Sequence, residues 1–275
     1  MQVIRAKHAG VCYGVERALD MAVASLMDDA PTYTLGPLIH NPQVVSQLAE
    51  QGVQAVDNVD DIDCGVVVIR SHGVEPQVVK QLHDRGLTVV DATCPHVAKA
   101  QRAAAEMYRD GATVLVIGRS EHPEVRGLCG HTDNHAIVIA DASEIPCDIQ
   151  EPVGIVVQTT ESKDKLRAVI EELECRGIEP IVKNTICFAT KQRQEAAANL
   201  AEEVDAIVVI GGKNSSNTTH LYEICLKHCP RSYFIEDLSE LSGELFDGCN
   251  VVGVTAGAST PDDQISAVVS YLESL

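Results

Sequence analysis

Short apolar runs alternate with amphipathic segments along almost the whole chain. Runs of four to six residues lie, for example, at 66–70, 113–118 and 206–210, and in the segments between them apolar residues recur every three or four positions. Apolar strands between amphipathic helices are typical of parallel sheets that helices cover on both faces. The pattern therefore predicts an α/β fold.

The predicted elements follow one another in chain order. The predicted strands are 3–6, 32–35, 66–70, 87–91, 113–118, 136–140, 154–158, 181–183, 206–210, 232–235 and 251–254. The predicted helices are 14–26, 43–51, 76–84, 96–109, 163–174, 192–203, 218–227 and 261–272, and the His-Pro sequence at 122–123 is predicted as a turn.

One cysteine stands between a strand and a helix at three places, namely Cys12, Cys94 and Cys187, at intervals of 82 and 93 residues. The start of a helix favours the thiolate, which is the form that binds metals. A domain-sized repeat indicates three α/β/α domains, each with a small, mostly parallel sheet, related by a pseudo-threefold axis. We expect domains at 13–94, 95–186 and 187–275, with 1–12 as an added strand and the cysteines at the shared centre.

Composition and charge narrow the class of protein. A net charge of −19 and an aromatic content of 3% argue against nucleic-acid binding, which needs basic stripes and stacking rings. No apolar run is long enough to span a bilayer, and the first residues are soon charged, so we expect a cytoplasmic protein with reduced thiols. The other seven cysteines are predicted to have no role, including Cys225 and Cys229, which lack a second pair to complete a zinc site.

Polar side chains collect beyond the carboxyl ends of the predicted strands, where open α/β sheets bind ligands. These residues are His40, His72, His122, Glu124, Thr159, Ser215, Ser216, Asn217 and Ser259. Histidines, hydroxyls and an amide at helix starts form a cradle that suits phosphate. The simpler alternative is that the serines and the asparagine only cap helices. Because six strand ends are polar in the same way, we favour a site.

Three thiolate ligands are compatible with two kinds of metal centre. Three cysteines can hold zinc together with a histidine, or three corners of a [4Fe–4S] cluster with one iron open. An open iron that faces an oxyanion cradle indicates an enzyme rather than a structural centre.

These motifs together, in this order, resemble the LytB-type iron–sulfur reductases, the 4-hydroxy-3-methylbut-2-enyl diphosphate reductase family, over the whole chain. They are Gly-Val-Cys12-Tyr-Gly-Val, Ile-His40-Asn-Pro, Ser-His72-Gly-Val, Asp-Ala-Thr-Cys94-Pro, His122-Pro-Glu124-Val, Gln-Thr159-Thr, Thr-Ile-Cys187-Phe-Ala-Thr, Asn-Ser215-Ser-Asn217-Thr and Thr-Ala-Gly-Ala-Ser259. The resemblance implies the last step of the methylerythritol phosphate route to isoprenoids, a reductive dehydroxylation that yields isopentenyl and dimethylallyl diphosphate.

The resemblance also implies a role for each residue. Cys12, Cys94 and Cys187 would hold one [4Fe–4S] cluster whose open iron takes the substrate hydroxyl. Glu124 would supply protons, with Thr159 and His122 also catalytic. The diphosphate would be bound by His40, His72, His122, Thr159, Ser215, Ser216, Asn217 and Ser259. A ferredoxin or flavodoxin would supply electrons, and we expect a basic patch for it at Arg17, Lys99, Lys191 and Arg193.

Two other classes of protein remain open. A quinolinate-synthase type (de)hydratase would share three cysteines and an open iron, but it needs no diphosphate cradle of this kind. A zinc-stapled binding module needs a fourth ligand and would be colourless.

Overall fold

The structure is a computed structural model, and it describes residues 1–27 and 30–275. The strands of these residues are β1 Gln2–Arg5, β2 Thr32–Leu35, β3 Val53–Val56, β4 Val66–Ile69, β5 Thr88–Asp91, β6 Thr113–Ile117, β7 Ile137–Ile139, β8 Val153–Val157, β9 Ile181–Lys183, β10 Ala206–Ile210, β11 Ser232–Ile235 and β12 Val251–Ala256. The α-helices are α1 Tyr13–Ala24, α2 Pro42–Glu50, α3 Pro76–Asp84, α4 Pro95–Arg109, α5 Pro123–Gly130, α6 Lys163–Cys175, α7 Phe188–Ala201, α8 Ser216–His228 and α9 Asp262–Glu273.

The strands form three parallel sheets of four strands with one common order. The orders are β3-β2-β4-β5, β7-β6-β8-β9 and β11-β10-β12-β1, so β1 takes the place that β5 and β9 have in the other sheets. It pairs with β12 from Gln2 opposite Val251 to Arg5 opposite Val254. The first strand of the chain therefore completes a sheet whose other strands all lie beyond residue 205.

Helices cover both faces of the second sheet. Alternate residues of β6 belong to different core clusters, because successive side chains of a strand point to opposite faces. Val114 and Val116 pack with Ala104 of α4 on one face, and Leu115 and Ile117 pack with residues of α6 on the other. Every residue of β4, β8 and β10 is buried, which explains why these strands are continuous apolar runs.

The chain divides into two compact units. Unit 1 comprises residues 1–15, 40–43 and 188–275 and contains the sheet β11-β10-β12-β1. Unit 2 comprises residues 16–39 and 44–187 and contains the other two sheets. The three-domain division at 94/95 and 186/187 stays a prediction.

The predicted α/β class with three small parallel sheets is confirmed, with three local corrections. Val53–Val56 is a strand that the apolar pattern missed. The sequence after His122, predicted as a turn, begins the helix α5. Helix α7 begins at Phe188 rather than at residue 192. Among the described residues, no helix is both long and apolar enough to cross a membrane.

Candidate active site

Each of the three repeated cysteines is held by the same backbone contact. The amides of Cys12, Cys94 and Cys187 donate to the carbonyl oxygens of Ala258, Ser71 and Thr159, at 3.0, 2.9 and 2.9 Å respectively. Each acceptor lies two residues beyond the end of a strand, namely β12, β4 or β8. In its sheet that strand is the neighbour of β1, β5 or β9, the strand that precedes the cysteine. All three cysteine side chains are half-buried, and each directly precedes α1, α4 or α7. The repeat in the sequence is therefore a repeat of backbone structure.

A second regularity places side chains at the strand ends. Strands β2, β6 and β10 each stand second in their sheet's strand order and end at Leu35, Ile117 and Ile210. His40, His122 and Ser215 each lie five residues beyond these ends. His72 and Ser259 each lie three residues beyond the neighbouring strands β4 and β12. The predicted site residues thus stand at equivalent positions of one repeated scaffold.

Glu124 is a buried acid held in place by Thr159. Its side chain lies in the first turn of α5 and is 1% exposed. The Thr159 amide donates to Oε1 at 2.6 Å, and the Thr159 hydroxyl donates to Oε2 at 2.9 Å. The Glu124 amide in turn donates to Nδ1 of His122, which caps the helix, at 3.1 Å. The carboxyl group is therefore fixed at both oxygens.

Burial raises the pKa of the Glu124 carboxyl to about 7. The two hydrogen bonds from Thr159 lower this pKa, and the nearby Glu161 raises it further. Desolvation dominates because the charged form of a carboxyl loses most when water is removed. A group with this pKa can hold and release a proton near neutral pH, as general acid catalysis requires.

Thr159 links the acid to one of the cysteines. Its amide and hydroxyl bind Glu124, and its carbonyl oxygen accepts the Cys187 amide. The turn after β8 is itself fixed, because the Gln158 side chain accepts the Arg119 amide at 3.1 Å and donates to Thr160 at 2.9 Å. The position of Cys187 and that of the Glu124 carboxyl are therefore set by one residue.

His72 lies beside His122 in unit 2. Their rings meet edge to face with centroids 5.4 Å apart. Gly73, directly after His72, has φ +71°, and a Cβ there would lie 2.4 Å from the Gln101 side chain of α4. The positive φ favours glycine here, and a larger residue would also displace the end of the Gln101 side chain.

The start of α8 contains buried polar atoms of two kinds. Ser215 is the N-cap, and its hydroxyl accepts the Thr218 amide at 3.3 Å. Ser216 and Asn217 are 1% and 4% exposed, yet the Ser216 hydroxyl and both polar atoms of the Asn217 amide have no hydrogen-bond partner among the described residues. Buried polar groups are nearly always paired, so such atoms call for an explanation. The capping interpretation thus holds for Ser215 but not for Ser216 and Asn217.

Residues 40–43 are hydrogen-bonded to Ser259 and Gln264, which belong to the same unit. The Ser259 hydroxyl donates to the carbonyl oxygen of His40 at 3.0 Å. The Asn41 amide donates to the carbonyl oxygen of Ser259 at 2.9 Å and to Gln264 at 3.2 Å. In this structure Ser259 therefore positions the His40 backbone.

The structure brings several predicted residues together within each unit. In unit 2 these are Glu124 with Thr159 and His122, His72 with His122, and Cys187 with Thr159; in unit 1 they are Ser215 with Ser216 and Asn217, and His40 with Ser259. Sequence reasoning missed the positioning role of Asn41, although the His-Asn-Pro motif contains it. The expectation that Arg193 belongs to a surface patch is wrong, because it is 4% exposed and donates to the Gly10 carbonyl oxygen at 2.7 Å.

Half-buried thiols at helix starts and a buried carboxyl with a raised pKa, in an α/β fold, are groups typical of an enzyme active site. The family model described as LytB protein matches residues 3–273. The chain belongs to the LytB family.

Relatives of this chain have a common name. It is 46% identical over 277 residues to the 4-hydroxy-3-methylbut-2-enyl diphosphate reductase of Trichlorobacter lovleyi, which covers 99% of this chain and 98% of the relative. It is 44% identical over 279 residues to the protein of the same name from Clostridium perfringens, covering 99% of both.

Solved structures agree with these relatives. One, described as (E)-4-hydroxy-3-methyl-but-2-enyl diphosphate reductase, the terminal enzyme of the non-mevalonate pathway, is 42% identical, with a TM-score of 0.72 over 100% of both chains. The reductase of Plasmodium falciparum has a TM-score of 0.91 at 24% identity, covering 98% of this chain and 87% of its own, which supports the fold.

Proposed function

We propose that the chain reduces 4-hydroxy-3-methylbut-2-enyl diphosphate to isopentenyl and dimethylallyl diphosphate. The observation that carries the proposal is a set of buried polar atoms of Ser216 and Asn217 at the start of α8, which have no hydrogen-bond partner within residues 1–27 and 30–275. Helix starts attract phosphate through the positive end of the helix dipole and through their outward amides. A diphosphate oxygen supplies the acceptor that the Ser216 hydroxyl and the Asn217 amide lack. The names of the relatives support the same substrate.

The other predicted residues complete the substrate site in this proposal. His40, His72 and His122 donate to or neutralise diphosphate oxygens, while Thr159 binds the hydroxyl end of the substrate. Ser215 contributes through the helix start that it caps, and Ser259 through the His40 backbone that it holds. Because the net charge of the chain is −19, local donors rather than long-range attraction must bind this anion.

Membership of the LytB family implies an iron–sulfur cluster. The residues present fit such a group, because Cys12, Cys94 and Cys187 are half-buried thiols with identical backbone anchoring at helix starts. We propose that they are the three ligands of one [4Fe–4S] cluster that keeps one iron open. When bound, the cluster supplies electrons and a Lewis acid for the C–O bond.

The protein's own contribution to the reaction is the handling of protons. Two electrons and two protons are consumed: the C–O bond breaks, one proton leaves with the hydroxyl as water, and the other forms the new C–H bond. Glu124 holds a transferable proton at neutral pH because its pKa is about 7. Thr159, bound to both carboxyl oxygens, fixes the direction of the transfer. Because Glu124 is only 1% exposed, bulk water has little access to its carboxyl group.

The electrons come from a carrier protein of ferredoxin or flavodoxin type in this proposal, and the chain acts in the cytoplasm. Support for that compartment comes from Cys64, Cys147 and Cys175, which are exposed thiols and would be oxidised outside a reducing environment.

The test is anaerobic purification followed by iron analysis, absorbance and turnover. We expect about 4 Fe per chain and a thiolate-to-iron band near ~400 nm, together with release of both diphosphate products when dithionite-reduced methyl viologen supplies electrons. A colourless zinc protein would contradict the proposal and favour a binding module. A cluster with (de)hydratase activity but no reduction of this substrate would favour the quinolinate-synthase type.

Serine variants of the cysteines test the ligand assignment. We expect Cys12→Ser, Cys94→Ser and Cys187→Ser each to lose stable iron, because a hydroxyl replaces a thiolate ligand. Cys225→Ser is the matched control: this thiol is fully buried, and burial raises its pKa to about 12, so it should keep its proton and bind no iron. Iron loss in Cys225→Ser with a folded chain would contradict the three-ligand model.

A further inference from the structure

Two aromatic side chains are exposed among the described residues, and each directly follows a repeated cysteine. Tyr13, after Cys12, is 66% exposed, and Phe188, after Cys187, is 64% exposed. Val11, on the other side of Cys12, is 38% exposed. Several large apolar side chains exposed to solvent in neighbouring segments indicate an interaction surface, whereas a single exposed apolar residue would need no explanation.

The segments that carry these side chains are fastened to each other within unit 1. Arg193 is buried in α7, and its guanidinium donates to the carbonyl oxygen of Gly10 at 2.7 Å. The same side chain donates to the carbonyl oxygen of Ala189 at 3.3 Å. The loop that carries Val11 and Tyr13 is therefore bound to the first turns of the helix that Phe188 begins.

The charge of the chain changes sign around the cysteines. Residues 1–15, 92–105 and 183–194 contain none of the 40 Asp and Glu residues but seven of the 21 Lys and Arg residues. The seven are Arg5, Lys7, Lys99, Arg102, Lys183, Lys191 and Arg193. In a chain with a net charge of −19, an acidic partner is repelled by most of the surface and accepted only where acids are absent.

Not all of these cations are available to a partner. In unit 1, Arg5 forms an ion pair with Asp262 at 2.6 Å, and Arg193 is buried. Lys7 is exposed. Lys191 is half-exposed and only loosely paired with Glu195, at 3.8 Å, and such a surface pair is weak. Lys191 also stands one helical turn after Phe188, on the same side of α7.

We infer that a small acidic iron–sulfur protein of ferredoxin type docks on one surface of unit 1. This docking surface consists of Lys7, Val11, Tyr13, Phe188 and Lys191. This inference rests on the proposed function, which consumes two electrons per substrate. Two reduced carriers dock in turn, and each is oxidised by one electron. Apolar contact at Tyr13 and Phe188 excludes water between the partners, while Lys7 and Lys191 orient the acidic carrier by charge.

The test compares two electron sources on the same holoenzyme. Phe188→Ser, Tyr13→Ser and Lys191→Glu are expected to raise the KM for reduced ferredoxin at least about tenfold for each aromatic change and several-fold for the charge reversal. Turnover with dithionite-reduced methyl viologen, the iron content and the absorbance should stay as in the unchanged protein. The Kd of oxidised ferredoxin, measured by calorimetric titration, should rise in parallel, and high salt should remove the effect of Lys191→Glu.

Two matched controls lie on α8, far in sequence from Cys12, Cys94 and Cys187. Leu226 is 45% exposed and Lys227 is exposed, so Leu226→Ser and Lys227→Glu make the same chemical changes elsewhere in unit 1. Equal KM shifts in these controls, equal loss with both electron sources, or productive docking of flavodoxin but not of ferredoxin would each overturn the inference. Failure of the unchanged protein to turn over with methyl viologen would instead contradict the proposed function.

Discussion

The loop after β6 and the loop after β10 stand at equivalent positions of sheets with one strand order, yet they treat buried polar groups in opposite ways. After β6, the Glu124 carboxyl is bound by the Thr159 amide and hydroxyl. After β10, Ser216 and Asn217 keep buried polar atoms without a partner among the described residues. Buried polar atoms without a partner call for an explanation. In the proposed function the diphosphate supplies it for Ser216 and Asn217, whereas the Glu124 carboxyl is already paired within the protein.

The largest expected effect comes from removing the acid of the satisfied loop. Glu124→Gln keeps the size of the side chain but cannot transfer a proton, so we expect turnover at least ~100-fold slower, the scale of losing a general acid. Iron content and substrate binding should be unchanged. Near-normal turnover would show that another group supplies the proton and that the loop after β6 is only structural.

The pH dependence sharpens the same point. Glu124 acts in its protonated form, which predominates below its raised pKa of about 7. We therefore expect kcat/KM, which reports the free enzyme, to fall about tenfold per pH unit above that value. Glu124→Gln should lack this alkaline decrease, because the amide does not titrate. A decrease that persists in Glu124→Gln would assign it to a different group.

The unsatisfied loop is tested by removing a hydroxyl that has no partner. Ser216→Ala deletes no hydrogen bond to the part of the chain that the structure describes, so the melting temperature should not fall. A hydrogen bond to a charged group contributes about 1.5–3 kcal/mol, so the KM for the diphosphate substrate should rise at least about tenfold with little change in kcat. A loss of stability without a change in KM would show that the Ser216 hydroxyl stabilises the fold rather than binding substrate. The two loops would then not differ in function.

The smallest expected effect is that of changing Ser215, the residue before Ser216. Ser215 accepts the Thr218 amide as the N-cap of α8, so Ser215→Ala should cost about 1 kcal/mol of folding stability, measured by denaturant unfolding. Ser215→Asp restores a cap and should recover that stability, while the added negative charge should weaken substrate binding. If Ser215→Ala leaves stability unchanged, the cap contributes nothing measurable.

Local patterns were enough to predict much of this architecture. Strands buried on both faces leave continuous Val and Ile runs, so β4, β8 and β10 could be read directly. The strand–cysteine–helix repeat located the three equivalent cysteines. Strand β3 was missed because only Val53 of its four residues is buried, so it leaves no apolar run.

Other features depend on contacts that no local pattern encodes. Helix α5 was not predicted beyond a His-Pro turn at 122–123, and its eight residues include Gly127 and Gly130, a residue type that weakens helices. Both glycines serve packing: a Cβ on Gly127 would approach Gln101 to 3.1 Å, and one on Gly130 would approach Glu75 to 2.7 Å. Likewise, the pairing of Glu124 with Thr159 spans 35 positions, and only the tertiary fold sets it.

The placement of β1 has a consequence for the order of events during synthesis. Gln2–Arg5 is made first but pairs with Val251–Val254, and the Cys12 amide is held by the carbonyl oxygen of Ala258. The Cys12 amide therefore lacks its acceptor until residue 258 has been made, whereas the Cys94 loop has its anchor, Ser71, already upstream of it. If the three cysteines hold one centre, as proposed above, that centre gains its full backbone anchoring only after residue 258 has been made.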